Sequence, residues 1–258
     1  MSLAGTGTCL QAHGSSRSCL SCPGLGPCRA TLAGAWNPDP LLLAALALWA
    51  GLLLRRQGRV PGWTAWALAV LVFVSPLCNL TSALFSARVV HHVLLSAAIV
   101  PLPLAGLTPG RRQRLRILGP SAAVLLHAGA MWAWHAPGPY AWALSTTPGY
   151  WLMQATLAGS AAAVWLCVLV PDRGAAVIAA GGTFLQMGLL GAIILFAGQP
   201  LYAAHLLTTA AWSLSALADQ QLAGLVMWVL GALPYMAALL WQAARLADDL
   251  PETVEPAR

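Results

Sequence analysis

The chain has 258 residues, of which 59% are hydrophobic and only 8% are charged, and its mean hydropathy is +0.73. A typical soluble domain carries about 25% charged residues, so this composition excludes a soluble globular enzyme, a disordered chain and a nucleic-acid-binding module. The net charge of +6 comes from 13 arginines without any lysine. In so apolar a chain, basic loops report membrane orientation before anything else.

Long apolar segments account for most of the chain. A helix needs about 20 mostly apolar residues to cross a bilayer, and Ala- and Leu-rich runs meet this requirement seven times. We therefore predict an all-α fold, a polytopic membrane helix bundle with seven transmembrane helices in one domain, 36–245. The predicted spans are 36–54, 62–81, 88–107, 117–135, 150–170, 174–197 and 220–245. Residues 1–35 form a Cys-, Gly- and Ser-rich tail that we expect to be disordered, and 246–258 form a short second tail.

The arginines divide unequally between the two sides of this bundle. Ten follow spans one, three, five and seven, whereas three lie in the N-terminal tail or before span three. Because basic residues accumulate on the cytoplasmic side, the N-terminus is predicted to be outside and the C-terminus cytoplasmic.

Prolines and glycines predict bends and close packing within the spans. A proline inside a helix removes a backbone hydrogen bond and kinks the helix. The kinks are predicted at Pro76, Pro101, Pro103 and Pro234. Glycines predict positions at which neighbouring helices approach closely, namely Gly181, Gly182, Gly188 and Gly191 on span six, and Gly224 and Gly231 on span seven.

One face of span four carries possible metal ligands. His127, Met131 and His135 are spaced i, i+4, i+8 and therefore share a helix face. Imidazole and thioether groups both suit Cu(I), so this ladder predicts a copper-binding stripe. The alternative is that His127 is hydrogen-bonded inside the bundle and that Met131 is core packing.

Further ionisable residues lie near the predicted outer ends of the spans. His91 and His92 are adjacent, so we expect only one of them to face the bundle. Arg88 shares a helix face with His92 and either snorkels to the interface or holds an anionic partner. Asp219 opens span seven, where it either accepts N–H groups of its own helix or converges with His92 and His135 in an outer polar pocket.

The cysteines divide between the tail and the spans. Four lie in the tail, two of them as Cys19-x-x-Cys22, for which disulfides on an oxidising face or soft-metal binding are the alternatives. Cys78 and Cys167 lie in spans, where we expect inert apolar residues.

Four blocks of the chain resemble one protein family. The block 217–228, LADQQLAGLVMW, is similar to the signature of the CtaG-like cytochrome c oxidase assembly family, a seven-helix membrane family. Residues 134–140, WHAPGPY, resemble its His-x-Pro-x-x-Tyr block. Residues 200–202 and 92–106 resemble the loop before the Asp-Gln-Gln motif and the span-three block. The resemblance covers 36–245.

The resemblance implies a membrane assembly factor for a haem–copper cytochrome c oxidase in a bacterial plasma membrane. Its partners would be cytochrome c oxidase subunits and membrane lipid, with no nucleic acid, and its role would be binding and handover of transiently bound copper, not enzymatic catalysis. His92 and His135 would be the copper ligands, Asp219 would orient a histidine or balance the ion's charge, and Met131 and His127 would lie deeper.

The sequence also departs from that family, which tends to have histidine at three positions occupied here by Arg88, Tyr150 and Gln154. Two other function classes are alternatives to this assignment. Kinked helices with polar groups at depth also suit a transporter of a small cation or metabolite, although no internal repeat is visible. An intramembrane hydrolase would need a paired nucleophile and base or a His-Glu-x-x-His zinc site, and no glutamate occurs in any predicted span.

Overall fold

The computed structural model describes residues 32, 34–55 and 60–249. Every regular element within these ranges is helical, which confirms the all-α prediction. Most of the predicted tail 1–35 lies outside the described residues, as do the cysteines for which disulfides or metal binding were predicted. The second predicted tail is described only as far as residue 249.

Short helices make up the first half of the described chain. They are α1 (Pro40–Arg55), α2 (Val60–Phe73), α3 (Pro76–Ala83), α4 (Phe85–Leu94), a π turn (Leu95–Ile99), α5 (Pro101–Ala105) and α6 (Pro109–Leu115). Asp39 begins this series, because its carboxylate accepts the N–H groups of Leu41 and Leu42 at 2.9 and 3.1 Å.

The second half contains the longest helices. They are α7 (Pro120–His135), α8 (Pro137–Ser145), α9 (Thr147–Val168), α10 (Arg173–Phe196), two 3₁₀ turns (Ala203–His205 and Thr209–Trp212), α11 (Ala216–Val226), a π turn (Met227–Gly231) and α12 (Leu233–Asp248). Side-chain caps start three of them, since Thr146, Asp172 and Ser215 each accept a backbone N–H of the first turn of α9, α10 and α11.

Four helical runs in the described ranges are long and apolar enough to cross a membrane. They are Phe85–Ala105, Thr147–Val168, Arg173–Phe196 and Ala216–Asp248. Two bent pairs raise the count to as many as six: α2 and α3 meet at 50°, and α6 and α7 meet at 66°. The described chain is therefore a multi-pass membrane bundle of four to six candidate spans. The α1 helix is apolar but has only 16 residues, so the seven-span count stays a prediction.

Three of the four predicted prolines mark a bend or a π turn, whereas Pro103 lies inside α5, so the kink predicted there is wrong. Pro76 follows the bend between α2 and α3. Pro101 follows the first π turn, in which the Val100 N–H donates to the Leu95 carbonyl at 3.0 Å. Pro234 lies just after the second π turn. A π turn adds one residue to the helical ladder and relieves the clash that a proline ring makes with the preceding turn.

Two glycines allow a close approach where α10 crosses α11. A Cβ atom at Gly224 would lie 2.5 Å from the backbone nitrogen of Leu195, and one at Gly191 would lie 2.7 Å from that of Trp228. Real Cβ contacts are essentially never this short, so the crossing requires glycine on both helices. The prediction of close packing at these glycines is confirmed.

The bundle has two chemically different ends. The histidine end contains His91, His92, His135 and His205, and the arginine end contains Arg112, Arg173 and Arg245. At the histidine end, the Tyr202 hydroxyl donates a hydrogen bond to the His135 carbonyl. At the arginine end, Arg173 donates one to the side chain of Gln242 on α12.

Cys78, on α3, is disulfide-bonded, so the prediction that it is inert is wrong. Cys167 on α9 is free.

Candidate functional site

Asp219 caps a helix other than its own. The α4 helix begins after Leu84, whose side chain cannot accept a hydrogen bond. The Asp219 carboxylate on α11 instead accepts from the N–H groups of Phe85 and Ser86 at 2.6 and 3.2 Å, and from the Ser86 hydroxyl at 2.5 Å. Its charge therefore lies at the positive end of the α4 dipole. The expectation that Asp219 caps its own helix is wrong, because Ser215 fills that position.

The next residue, Gln220, holds the loop that leads away from α10. Its side-chain carbonyl accepts the Leu201 N–H at 2.6 Å, and its amide donates to the carbonyls of Ile194 and Gln199 at 3.3 and 3.2 Å. Gln221, by contrast, is exposed. The first two residues of the Asp-Gln-Gln block thus fix two different segments at the histidine end.

The loop held by Gln220 covers this end of the bundle with two hydrogen-bonding side chains. The Tyr202 hydroxyl donates to the His135 carbonyl at 2.8 Å. Nε2 of His205 lies 2.7 Å from the Tyr140 hydroxyl, and its Nδ1 lies 3.3 Å from the Ala83 carbonyl. Because a carbonyl only accepts, Nδ1 donates to it, and in the neutral ring Nε2 accepts from the tyrosine hydroxyl. Burial lowers the pKa of His205 to about 4.

Phe85 packs at the centre of this cover. Its ring centroid lies 3.8 Å from that of Tyr202, 5.3 Å from that of Tyr140 and 6.2 Å from that of His135. Sequence reasoning missed Phe85 and Ser86 as partners of Asp219. The available signal was the apolar Leu84 at the start of a helix, which leaves N–H groups in need of an acceptor.

His92 and His135 meet below this aromatic cover. Their ring centroids are 5.3 Å apart, with the ring planes at 85°. Both nitrogens of His92 and Nε2 of His135 are buried without a hydrogen-bond partner among the described residues. His91 is also buried and packs edge-on against Phe73 at 4.7 Å. The prediction that only one of the adjacent histidines faces the bundle is therefore wrong, because other helices cover α4 on more than one side.

The hydrogen bonds of the α7 histidines determine which ring nitrogen carries the proton. Nδ1 of His135 lies 2.7 Å from the Met131 carbonyl and must donate to it, so Nε2 carries the lone pair of the neutral ring. Nδ1 of His127 lies 2.9 Å from the Ser160 hydroxyl, whose own hydrogen is directed to the Leu157 carbonyl. By the same reasoning, Nε2 of His127 carries its lone pair.

Nε2 of His127, Nε2 of His135 and the Met131 side chain lie along one buried face of α7. His127 and Met131 have no exposed surface, and His135 is 4% exposed. Ser160 occupies only one of the two ring nitrogens of His127. His127 can therefore be hydrogen-bonded inside the bundle and still offer Nε2 to a metal ion.

Arg88 lies beside the histidine pair and is fully buried. The prediction that it snorkels to the interface is wrong. Its guanidinium carbon lies 5.4 Å from the centre of the Tyr150 ring, which is within cation–π range. None of its three side-chain nitrogens has a hydrogen-bond partner in the described part of the chain, and the same holds for the Tyr150 hydroxyl and the Gln154 amide.

The donor set at this end is too small for a complete metal site. The described residues contain no group of three or more His, Cys, Asp or Glu side chains that could hold one. Asp219 is engaged by Phe85 and Ser86, so the structure brings together only two of the three expected ligands, His92 and His135. Two neutral imidazoles with free nitrogens suit a soft, weakly held ion such as Cu(I) and do not form a complete site for Zn²⁺ or Mg²⁺.

Comparison with known protein families gives one match. The family model described as the cytochrome c oxidase caa3 assembly factor (Caa3_CtaG) matches residues 45–249. The chain belongs to this family. No curated protein and no solved structure matched it.

Family membership confirms the resemblance inferred from the Asp-Gln-Gln and His-x-Pro-x-x-Tyr blocks. It identifies the protein as a cytochrome c oxidase assembly factor that acts on the oxidase, and it gives no support to the transporter alternative. Both blocks converge at the histidine end: Asp219 caps α4, and Tyr140 binds the covering His205.

Proposed function

We propose that this assembly factor assists the maturation of an oxidase copper centre by transiently binding Cu(I) between His92 and His135. The observation that carries the proposal is the hydrogen bond from Nδ1 of His135 to the Met131 carbonyl. A backbone carbonyl on one imidazole nitrogen is a common outer-shell partner of metal-ligating histidines, because it orients the ring and makes the other nitrogen more basic.

The spacing of the two rings is compatible with a shared ion. Two metal–nitrogen bonds of about 2 Å each require nitrogens about 4 Å apart or closer, and the ring centroids lie 5.3 Å apart. With two ligands and the Arg88 cation nearby, binding should be weak. Weak binding suits an ion that is cargo for another protein, so the role is handover and not catalysis.

The remaining candidate residues have supporting roles in this proposal. Met131 and the free Nε2 of His127 continue the donor stripe deeper along α7. Asp219 acts by holding the start of α4, and therefore His92, in position. It is a positioning residue and not a metal ligand.

Copper loading of the purified protein tests this function. The detergent-solubilised full chain is titrated with Cu(I) under reducing, oxygen-free conditions, and bound copper is measured for the wild type, His92→Gln and His135→Ala. The control is His205→Gln, which removes a buried histidine of the cover that lies outside the pair. We expect both pair variants to lose copper and the control to retain it. Equal copper in all four proteins would overturn the copper role and leave an assembly role without metal.

The membrane arrangement is a second part of the proposal. We infer seven spans, with α1 as the additional crossing, in a bacterial plasma membrane, with the histidine end outside and the arginine end in the cytoplasm. The support is the excess of arginines at one end. A C-terminal alkaline phosphatase fusion should be inactive and a C-terminal green fluorescent protein fusion should fluoresce. An active phosphatase would reverse the orientation and move the copper site to the wrong face.

A further inference from the structure

The arginine end contains a pocket that the proposed copper role does not use. Its volume is about 260 Å³. It lies where the loop between α9 and α10 meets α6 and α12, and its lining contains three arginines and no acidic residue. The lining residues are Pro109, Arg112, Leu169, Val170, Pro171, Arg173, Trp241, Gln242 and Arg245.

Arg112 is fixed in this pocket by backbone carbonyls. Its Nη1 donates to Leu169 at 2.6 Å, its Nε to Leu107 at 3.0 Å and its Nη2 to Ala105 at 3.1 Å. A guanidinium has five N–H donors, and these three bonds use three of them. The carbonyls carry no charge, so they orient the cation without neutralising it.

Arg173 is held from the opposite side. Its Nη1 donates to the Gln242 side-chain carbonyl at 3.0 Å, and the buried Gln242 amide donates to the Val168 carbonyl at 2.7 Å. The Arg173 Nε lies 3.4 Å from Asp249, whose side chain is 61% exposed. An ion pair this exposed is screened by water and contributes little, so it leaves most of the positive potential of the pocket in place.

The rest of the lining is suited to a membrane surface. Arg245 and Trp241 are exposed on α12, and Trp241 retains 54% of its surface. An exposed Trp beside arginines at the end of a membrane helix is typical of the headgroup level of a bilayer. Leu169, Val170 and Pro171 add an apolar wall beside the cations.

We propose that this pocket binds the phosphate group of an anionic phospholipid. Guanidinium groups bind phosphate oxygens through several charge-assisted hydrogen bonds, and basic pockets between membrane helices bind lipid headgroups in this way. The apolar wall and Trp241 can contact the glycerol and upper acyl region, which free phosphate lacks. The lipid would join α6, the α9–α10 loop and α12.

Lipid reconstitution of the full chain tests the site. The thermal unfolding midpoint is measured in nanodiscs of phosphatidylcholine alone and with phosphatidylglycerol added. Arg245→Gln is the test variant, because Arg245 is exposed and its replacement leaves the Arg112 and Arg173 bonds intact. Arg114→Gln is the control, because it removes an equal charge from exposed α6 surface outside the lining.

We expect phosphatidylglycerol to raise the wild-type midpoint by about 3 °C, Arg114→Gln to keep that shift and Arg245→Gln to lose at least half of it. No shift in the wild type, or equal loss in the two variants, would overturn the proposal. A separate arm adds inorganic phosphate to the protein in neutral detergent. A stabilisation by phosphate as large as that by the lipid would also overturn it, by identifying the ligand as the free anion.

Discussion

Arg88 and Arg112 carry the same charge at opposite ends of the bundle but have different surroundings. Arg112 is partly exposed, and each of its three nitrogens donates to a backbone carbonyl. Arg88 is fully buried beside Tyr150, and its nitrogens have no hydrogen-bond partner within the described residues. The arginine end therefore leaves its charges partly or fully exposed, whereas the histidine end encloses polar groups inside the bundle.

Enclosing these groups costs free energy. A buried polar group without a partner costs about 1–3 kcal/mol, and a charged group costs more. Such groups persist inside a membrane bundle chiefly where function requires them. This contrast supports our proposal that the histidine end is the functional end, and the stability of that end should depend on the few contacts that organise it.

The largest effect is expected at Asp219. Asp219→Ala leaves the buried N–H groups of Phe85 and Ser86 without their acceptor, which should lower the free energy of unfolding by about 4 kcal/mol. Asp219→Asn keeps one acceptor oxygen, which serves Ser86, but turns an NH2 group towards the N–H of Phe85, so it should lose about 2 kcal/mol. Chemical denaturation in detergent measures both.

Gln221, which is exposed on α11 near Asp219, provides the control for the two Asp219 variants. Gln221→Ala should change stability by less than about 0.5 kcal/mol. If Asp219→Asn were as destabilising as Asp219→Ala, a single acceptor oxygen would contribute nothing, and both carboxylate oxygens would be needed to hold the start of α4.

The second effect is a pH dependence caused by His205. The folded pKa of about 4 is lower than the ordinary value of 6.5, so the unfolded chain binds the proton more readily. The stability contributed by the neutral ring is therefore complete above pH 6.5 and is lost as the pH falls towards 4, by about 3 kcal/mol. Unfolding curves between pH 8 and 4 should show a smaller loss for His205→Gln than for the wild type. Parallel curves would show that His205 is not buried as a neutral ring.

The sequence predicts the helices well because their cause is local. Long apolar runs need internal backbone hydrogen bonds in a bilayer, and Pro76, Pro101 and Pro234 mark the interruptions that the structure contains. The α1 helix shows the limit of this reasoning. An apolar run of 19 residues predicts a span, but the described helix covers only Pro40–Arg55.

The contacts of the site could not be predicted in the same way, because they join distant segments. Asp219 and Phe85 are separated by 134 residues, and nothing in their local sequences pairs them. Spacing along α7 correctly placed His127, Met131 and His135 on one buried face. It could not reveal that α4 is enclosed on several sides, and therefore it failed for His91 and Arg88.

The third prediction concerns the glycines that hold α10 and α11 together beneath this end. Gly224→Ala should destabilise the bundle by about 2 kcal/mol, because the new Cβ would lie 2.5 Å from the Leu195 nitrogen. Gly129→Ala on α7 is the matched control, since no atom lies within 4 Å of its Cβ position. It should stabilise the helix by about 0.5–1 kcal/mol. Equal effects in denaturation would show that the α10–α11 crossing can separate without loss.

The smallest expected effect is the change in copper affinity when Arg88, the buried arginine of the histidine end, is replaced. Arg88 lies one helical turn before His92 and faces the same way. Arg88→His should remove a cation that opposes Cu(I) and add an imidazole beside His92, raising copper affinity about tenfold or about 1.4 kcal/mol. Arg88→Gln removes the charge without adding a ligand, so it should give a smaller gain.

Competition with a Cu(I)-chelating dye measures both variants against the wild type. If neither variant bound copper more tightly, the His92–His135 pair would not be the binding site. An equal gain in both variants would mean that Arg88 acts through its charge alone.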